Sequence, residues 1–363
     1  MQVADYIKTL KPYEGGKPIE ELQRELNLNC DIIKLASNEN PLGASKKAVE
    51  AIKNTVENIN MYPDGDSYYL KLKLSKLLGV SSKNLIFGNG SDELLELIYK
   101  VFANEKDDEI LYCYPTFIEY RILGKSYNKK LIELPLKDFK YDIDALTNAI
   151  NSNTKIIFLN TPNNPTGTLI KYEEIELITE KAGKNCLVVV DEAYYEYCKN
   201  SKDYKEILDL YKKDNVIILR TFSKAYGLAG LRIGYGIANE KIIDYLNRVR
   251  PPFNVNILAQ NGALAALDDV EHIKNSVDNN EEGKAYLYNE FEDMGIEYVK
   301  TYANFILFDS GKDAEFVYNE LLKKGVIIRS MTGYGYKNYL RVTIGTKEEN
   351  RIFIEKLREV LDV

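Results

Sequence analysis

The chain alternates short apolar runs with longer stretches in which apolar residues recur every three or four positions. From about residue 84 to residue 238 the apolar runs are rich in β-branched residues and do not alternate with polar ones, which is typical of strands buried on both faces. We predict strands at 84–87, 109–113, 155–159, 187–190, 216–219 and 234–237, with helices such as 92–102 and 172–182 between them. This repetition predicts an α/β fold in which helices cover both faces of a mainly parallel sheet.

The C-terminal part of the chain has a different pattern. We predict strands at 298–308, 326–329 and 339–343, and helices at 314–323 and 347–361. These elements indicate a smaller α+β domain, which the N-terminal segment is expected to complete. Pro251 and Pro252 mark a break between the two patterns, or else a linker inside a long helical region. We therefore expect a large domain over residues 36–255 and a discontinuous small domain made of residues 1–35 and 256–363.

Composition and charge narrow the classes of protein. The 363 residues are too many for one compact core and suit two packed units. The net charge is −7 without a basic block, so we expect no nucleic-acid partner. No apolar run approaches a membrane span and no N-terminal stretch resembles a signal peptide, so we expect a cytoplasmic protein without membrane contact. Four cysteines without CxxC spacing and one histidine, His272, predict no metal site.

The first candidate for chemistry is Lys224, which follows the predicted strand 216–219. A lysine that is partly desolvated beyond a buried strand has a lowered pKa, and its free amine can attack an aldehyde. Alone, a lysine after a strand is usually an ordinary surface residue. The neighbouring Ser223 and Arg232 change this interpretation, because a hydroxyl and a guanidinium fork together suit one phosphate group.

Three further motifs also follow predicted strands. Residues 88–93 (Gly-Asn-Gly-Ser-Asp-Glu) lie at a strand-to-helix junction, where free N–H groups can bind an anion. The alternative interpretation is a plain glycine-rich turn with a helix cap. Asp191 ends an apolar strand and needs a cationic partner or a capping role when buried. Asn164 lies in an Asn-Pro-Thr-Gly motif and offers an amide to a ligand, or simply belongs to a turn. Ligands bind at the carboxyl ends of strands in such sheets, so we expect these motifs to share one site.

In their order along the chain, these motifs resemble those of fold-type I, aspartate-aminotransferase-like enzymes that use pyridoxal 5′-phosphate (PLP). Within that superfamily the chain is similar to the histidinol-phosphate aminotransferases. The resemblance is carried by residues 34–43, 62–65, 88–93, 221–232, 250–255 and 340–346. It implies a large PLP-binding domain with a smaller α+β domain. It also implies a transaminase of histidine biosynthesis that acts on an amino donor, L-glutamate, and a phosphorylated carbonyl acceptor, imidazole-acetol phosphate.

The resemblance also implies roles for individual residues. Lys224 would hold PLP as a Schiff base and carry the proton during transfer, and Asp191 would pair with the pyridine nitrogen. Tyr194 and Asn164 would bind the ring oxygen. The phosphate of PLP would be bound by Ser223, Arg232 and the backbone around Gly90, Ser91 and Asp92. Tyr62 would reach that phosphate from the partner subunit, which implies a homodimer.

Two assignments in the predicted site have alternative interpretations. The resemblance points to Phe117 as the side chain that stacks on the PLP ring, but Tyr114 is close by and plain core packing is the other interpretation. Arg341 and Arg329, in predicted strands of the small domain, suit an anionic substrate group, or else are surface charges. By resemblance, Arg341 binds the glutamate carboxylate in one half-reaction and the phosphate of the other substrate in the next. Tyr13 matches a tyrosine near the substrate.

Two other functions stay open at this point. The first is a relative with another substrate, which includes an aromatic or phosphorylated amino-compound aminotransferase or a lyase similar to threonine-phosphate decarboxylase. The second is a non-catalytic PLP-binding regulator. Such regulators carry a DNA-binding module, for which we find no segment here, and the chain has Lys224. We therefore favour an enzyme.

Overall fold

The computed structural model describes residues 2–10 and 32–363, and Tyr13 lies outside these residues. Within them, strands form three sheets of seven, four and two strands. The strands in chain order are β1 (Ile33–Lys34), β2 (Leu85–Gly88), β3 (Glu109–Tyr114), β4 (Lys130–Pro135), β5 (Thr154–Asn160), β6 (Leu187–Asp191) and β7 (Val216–Thr221). They continue with β8 (Gly234–Ala238), β9 (Tyr298–Val299), β10 (Phe305–Asp309), β11 (Val326–Ile327), β12 (Arg329–Ser330) and β13 (Tyr339–Thr343).

The central sheet has the strand order β2-β8-β7-β6-β5-β3-β4. The strands from β7 to β4 are parallel, and β8 is antiparallel to both of its neighbours. The prediction of a mainly parallel sheet is confirmed, and the bounds of its six predicted strands differ from the observed ones by one or two residues. The edge strand β4 was not predicted, because its exposed and half-buried residues do not form a continuous apolar run.

Helices cover both faces of the central sheet. In the described chain as a whole, including the part around the smaller sheet, the longer helices are Lys46–Thr55, Tyr68–Leu78, Gly90–Phe102, Glu119–Ser126, Tyr172–Ala182, Glu240–Val249, Ile257–Ala266, Val270–Asp293, Ala314–Lys323 and Lys347–Leu361. Shorter helices are Asp5–Lys8, Ile143–Ala149 and Tyr195–Cys198. Strand β6 contributes Val188 and Val190 to one core cluster and Leu187 and Val189 to another, since side chains alternate along a strand. In the part of the chain described here, no helix is both long and apolar enough to cross a membrane.

The smaller sheet is antiparallel, with the order β12-β13-β10-β9. The single strand predicted at 298–308 is wrong, because the backbone leaves the sheet between β9 and β10. The strand predicted at 326–329 is also wrong as one element, because its two halves pair with different partners. Strand β11 pairs with β1 of the N-terminal segment, whereas β12 pairs with β13. This pairing joins residues 33–34 to the C-terminal part of the chain.

Helix Ile257–Ala266 bears on the predicted domain boundary at residues 255 and 256. Its residues Ala259, Ala263 and Ala266 belong to the largest core cluster of the central sheet. The helix packs on helix Lys46–Thr55, where small side chains allow close approach. The domain boundary between residues 255 and 256 stays a prediction.

Candidate active site

A cavity of about 270 Å³ opens where the central sheet meets the smaller sheet. Its floor is formed by Asn160, Asp191 and Thr221, which are the last residues of β5, β6 and β7. Arg329 of β12 and Arg341 of β13 line the opposite wall. The cavity therefore lies at the carboxyl edge of the parallel strands, as the sequence predicts.

Most of the predicted site residues line this cavity. They are Ser91, Asp92, Phe117, Asn164, Asp191, Tyr194, Ser223, Lys224, Arg232, Arg329 and Arg341. Tyr62 does not line it; its side chain is 82% exposed and stacks on Phe253 with ring centroids 4.8 Å apart. Tyr114 is also absent from the lining, and the predicted substrate contact Tyr13 lies outside the described residues.

Lys224 lies in the turn that follows β7. Its Nζ donates a hydrogen bond to the Ser37 carbonyl at 3.2 Å. Desolvation by burial and, to a smaller extent, the nearby positive charge of Arg341 lower the pKa of Lys224 to about 8. The turn is tight at Gly227, where φ is +69° and a Cβ atom would lie 2.0 Å from the Gly43 carbonyl oxygen. The lowered pKa leaves a reactive neutral amine available near neutral pH.

Asp191 is 2% exposed and ends β6 at the floor of the cavity. The Tyr120 hydroxyl donates to its Oδ2 at 2.8 Å, and the Ala193 N–H donates to Oδ1 at 3.2 Å. Burial raises the pKa of Asp191 to about 6. Among the described residues, no ion pair includes Asp191, although a buried carboxylate strongly favours a cationic neighbour. A protonated ring nitrogen fits this position.

Tyr194 and Asn164 lie close to the same floor. Burial raises the pKa of Tyr194 to about 12, so its phenol keeps its proton, and its oxygen accepts a hydrogen bond from Asn38 Nδ2 at 2.9 Å. Asn164 Oδ1 accepts a hydrogen bond from Arg341 Nη1. Arg341 Nη2 also donates to the Ala36 carbonyl at 2.6 Å, so this guanidinium bridges two walls of the cavity.

One end of the cavity is suited to a phosphate. Gly90 begins helix Gly90–Phe102 with φ of +76°, and a Cβ atom there would lie 2.5 Å from Arg232 Nη2. Arg232 itself has φ of +55°, and its Nη2 donates to Asp92 Oδ2 at 2.8 Å. Ser223 Oγ lies 3.0 Å from Thr221 Oγ1. A helix N-terminus, a guanidinium and a hydroxyl converge here, which is typical of phosphate binding.

The aromatic side chains beside the floor differ in position. Phe117 lines the cavity and contacts the ring of Tyr120 edge-on, with centroids 5.7 Å apart. Tyr114 instead stacks on Tyr334 at 5.9 Å, and the Arg121 guanidinium carbon lies 3.7 Å from its ring centroid. Phe117 is therefore the aromatic side chain of the predicted pair that contacts the cavity.

The structure adds residues that sequence reasoning missed. Tyr120 contacts Asp191, and Tyr334 and Asn38 line the cavity. Asn38 has φ of +56°, and two hydrogen bonds with Thr343, at 3.0 and 3.2 Å, help to hold this left-handed conformation. Only Asn38 carried a signal, because it lies within the conspicuous segment 34–43. The roles of the two tyrosines depend on long-range contacts.

Comparison with known proteins identifies a family. Residues 30–357 match the family described as aminotransferase class I and II. A histidinol-phosphate aminotransferase from Moorella thermoacetica is 48% identical over 98% of this chain and 92% of its own length. One from Caldicellulosiruptor saccharolyticus is 46% identical over 98% of this chain and 99% of its own length. The crystal structure of histidinol-phosphate aminotransferase from Sinorhizobium meliloti with PLP has a TM-score of 0.90 at 25% identity, over 99% of this chain and 98% of that one.

These findings confirm the aspartate-aminotransferase-like fold, the aminotransferase class of enzyme and the PLP cofactor that the resemblance implied. The residues of the cavity fit that cofactor. The phosphate-binding end, the buried Asp191, the Lys224 amine and the Tyr194 phenol suit the phosphate, the ring nitrogen, the aldehyde and the ring hydroxyl of PLP. On the strength of the match over residues 30–357, the chain belongs to the aminotransferase class I and II family.

Proposed function

We propose that this chain is a histidinol-phosphate aminotransferase. It would transfer the amino group of L-histidinol phosphate to 2-oxoglutarate and form imidazole-acetol phosphate and L-glutamate. The observation that carries the proposal is a cavity with two anion-binding ends, one beside Arg232 and one beside Arg341. The first end suits the cofactor phosphate, so the second is available for the carboxylate or phosphate of a substrate. The identity to relatives of this name supports the same substrate pair.

The side chains of the cofactor half would act as follows. Ser223 and Arg232, together with the backbone N–H groups around Gly90, Ser91 and Asp92, bind the phosphate of PLP. Asp191 pairs with the ring nitrogen, and the Tyr194 phenol and the Asn164 amide bind the ring oxygen. Phe117 stacks on the ring.

Lys224 would have two roles. Its amine would hold the cofactor covalently between turnovers. When bound, PLP supplies a ring that delocalises the electron pair left by proton removal. The Lys224 amine removes the proton from the Cα atom of the bound amino compound, because a pKa of about 8 leaves neutral amine available. Asp191 stays ionised above its pKa of about 6 and keeps the ring nitrogen charged.

Arg341 and Arg329 would bind the anionic end of each substrate. Arg341 is 7% exposed, and desolvation strengthens a bidentate contact between its guanidinium and a carboxylate or phosphate. The two half-reactions use the same cations in turn, since histidinol phosphate has a phosphate on the branch where glutamate has its α-carboxylate. Tyr13, outside the described residues, is proposed as a further substrate contact.

A homodimer would complete the site. Large apolar side chains are exposed around Tyr62, among them Ile59, Met61 and Tyr69. An exposed apolar patch of this kind is typical of a subunit interface. In the proposed dimer, a second copy covers this patch, and Tyr62 reaches the cofactor phosphate of its partner.

Mixing two defective variants tests the contribution of Tyr62. Lys224→Ala and Tyr62→Ala, unfolded and refolded together, should recover about a quarter of wild-type activity, because half of the dimers regain one intact site. Refolding each variant alone provides the control. If Tyr62 acts on its own subunit, the mixture stays as inactive as the average of the two variants.

The substrate is tested by single half-reactions. L-histidinol phosphate, L-glutamate, L-phenylalanine and O-phospho-L-threonine are added separately to the PLP-loaded enzyme, and the absorbance of the bound cofactor is followed. We expect rapid conversion with the first two compounds. Conversion with phenylalanine but not with histidinol phosphate contradicts the proposal, and release of carbon dioxide from O-phospho-L-threonine indicates a lyase. An enzyme treated with borohydride, which blocks Lys224, is the negative control.

A further inference from the structure

A buried ion-pair network lies behind the cavity, at the ends of β6 and β7. The Arg220 guanidinium donates to Glu192 Oε2 from Nε at 2.9 Å and from Nη2 at 2.7 Å. The Arg220 side chain is 1% exposed and the Glu192 side chain 0%. Arg220 Nη2 also donates to Glu206 Oε1 at 3.0 Å, and the guanidinium carbon lies 3.4 Å from the ring centroid of Tyr195. The Tyr204 hydroxyl donates to Glu192 Oε1 at 2.6 Å.

Strand geometry relates this network to the cavity. Side chains alternate along a strand, so Glu192 and Arg220 point to the opposite face of the sheet from Asp191 and Thr221. The Glu192 N–H donates to the Leu219 carbonyl at 2.8 Å, so the hydrogen-bond ladder continues one residue beyond Asp191. The ion pair is therefore located across the sheet from the floor of the cavity.

Each member of the ion pair is also next to a cavity residue in sequence. Glu192 directly follows Asp191, and Arg220 is four residues before Lys224. A rigid contact between Glu192 and Arg220 therefore limits how far the two strand ends can shift relative to each other. The relative position of the Asp191 carboxylate and the Lys224 amine depends on that shift.

Stability alone does not account for charges at this location. Burying two charges costs desolvation free energy, and apolar residues of similar volume often give equal or greater stability. A guanidinium that donates twice to one carboxylate, and is stacked on an aromatic ring, restricts both distance and orientation. Such restriction is what a site needs when two reactive groups must contact one cofactor.

We propose that Glu192 and Arg220 are positioning residues for the cofactor site. Their ion pair holds the end of β6, with Asp191, in register with the end of β7 and the Lys224 turn. Neither residue lines the cavity. The inference rests on the roles that the proposed function gives to Asp191 and Lys224.

The first test is Glu192→Gln, which keeps the shape of the side chain and removes its charge. We expect the dissociation constant of PLP for the apoenzyme to rise about tenfold, the equivalent of one hydrogen bond to a charged group. We also expect a shift in the pH midpoint of the bound cofactor's absorbance. The matched control is Glu290→Gln, because Glu290 accepts from Arg358 Nη2 at 3.0 Å in the C-terminal part of the chain. The control should change neither quantity.

The second test separates positioning from folding. The double variant Glu192→Met/Arg220→Leu removes both charges, so we expect an apoenzyme with nearly wild-type Tm. Its PLP affinity should still fall about tenfold, because an apolar contact does not fix orientation. A folded double variant with wild-type PLP affinity and an unchanged pH midpoint overturns the proposal. If the double variant does not fold, Glu192→Gln decides, and wild-type values for that variant also overturn it.

A negative result in these tests can be distinguished from a failure of the proposed function. They measure binding of PLP itself, without any substrate. A wild-type enzyme that binds PLP but converts no histidinol phosphate contradicts the proposed substrate and leaves the positioning role intact. Wild-type PLP affinity in Glu192→Gln contradicts the positioning role and leaves the substrate unaffected.

Discussion

The two sides of the cavity are built differently. The cofactor side, defined by Asp191, Ser223 and Lys224, comes from the ends of two adjacent parallel strands of one sheet. The substrate side, defined by Arg329 and Arg341, comes from the smaller sheet and depends on how it packs against the central one. Arg341 reaches partners 177 and 305 residues away in sequence. In the proposed function, a rigid sheet would therefore hold the groups for chemistry, while a junction between two sheets would hold the groups for recognition.

The comparison predicts that changes on the cofactor side lower turnover with every substrate. The largest effect should come from Lys224→Ala, which removes both the covalent attachment and the proton carrier. We expect kcat to fall by roughly 10⁴-fold or more with all donors. Steady-state assays with L-glutamate and L-histidinol phosphate measure this, and circular dichroism checks the fold. A variant with wild-type kcat would refute the proposed chemistry.

Asp191→Asn should produce the next largest effect, with kcat lower by about 10²- to 10⁴-fold, because a neutral amide no longer holds the ring nitrogen charged.

The same Asp191→Asn substitution should raise the stability of the apoenzyme. The pKa of Asp191 is raised from 3.8 to about 6, so the wild-type apoenzyme loses stability as the pH rises between these values. The apo variant should therefore have a higher Tm than wild type at pH 8, and this gain should disappear near pH 3.5. Thermal melts at both pH values test this, and a Tm gain that grows on acidification contradicts it.

Arg341→Ala should sharpen the contrast between the two sides, because its main effect should be on KM. We expect KM for L-glutamate and for histidinol phosphate to rise about 100-fold, the cost of losing a desolvated charged contact. Arg341→Lys should recover only part of this, because an ammonium lacks the fork. Arg329→Ala provides the comparison, with an expected rise of about tenfold. An equal effect of Arg341→Ala on kcat, with KM unchanged, would place Arg341 with the chemical groups instead.

The smallest effect concerns the stacking side chain. Phe117→Leu should weaken PLP binding about fivefold, since an aromatic contact contributes roughly 1 kcal/mol beyond its buried area. Tyr114→Leu is the matched control, because Tyr114 is not part of the cavity lining. Fluorescence titration of the apoenzymes with PLP distinguishes them. A larger effect at Tyr114 than at Phe117 would reverse the assignment.

Sequence reasoning was accurate where the relevant contacts are local. Strands β5, β6 and β7 are continuous apolar runs, so their location and their burial on both faces followed from the pattern. Strand β4 was missed because it is an edge strand with exposed positions. The sequence pattern predicts one strand over residues 326–329, although Ile328 separates β11, which pairs with β1, from β12, which pairs with β13. No local pattern reports such a change of partner.

The same distinction between local and long-range contacts applies to the candidate site. The sequence alone determined which residues carry reactive groups at the ends of strands, because strand, turn and helix signals lie within a few residues of Asp191 and Lys224. Only the tertiary structure decided that Tyr120 supports Asp191, that Asn38 contacts Tyr194, and that Glu192 pairs with Arg220 at the ends of two adjacent strands. These contacts join residues 28 to 156 positions apart. They arise from packing of whole elements, to which hydrophobic periodicity and motif spacing are insensitive.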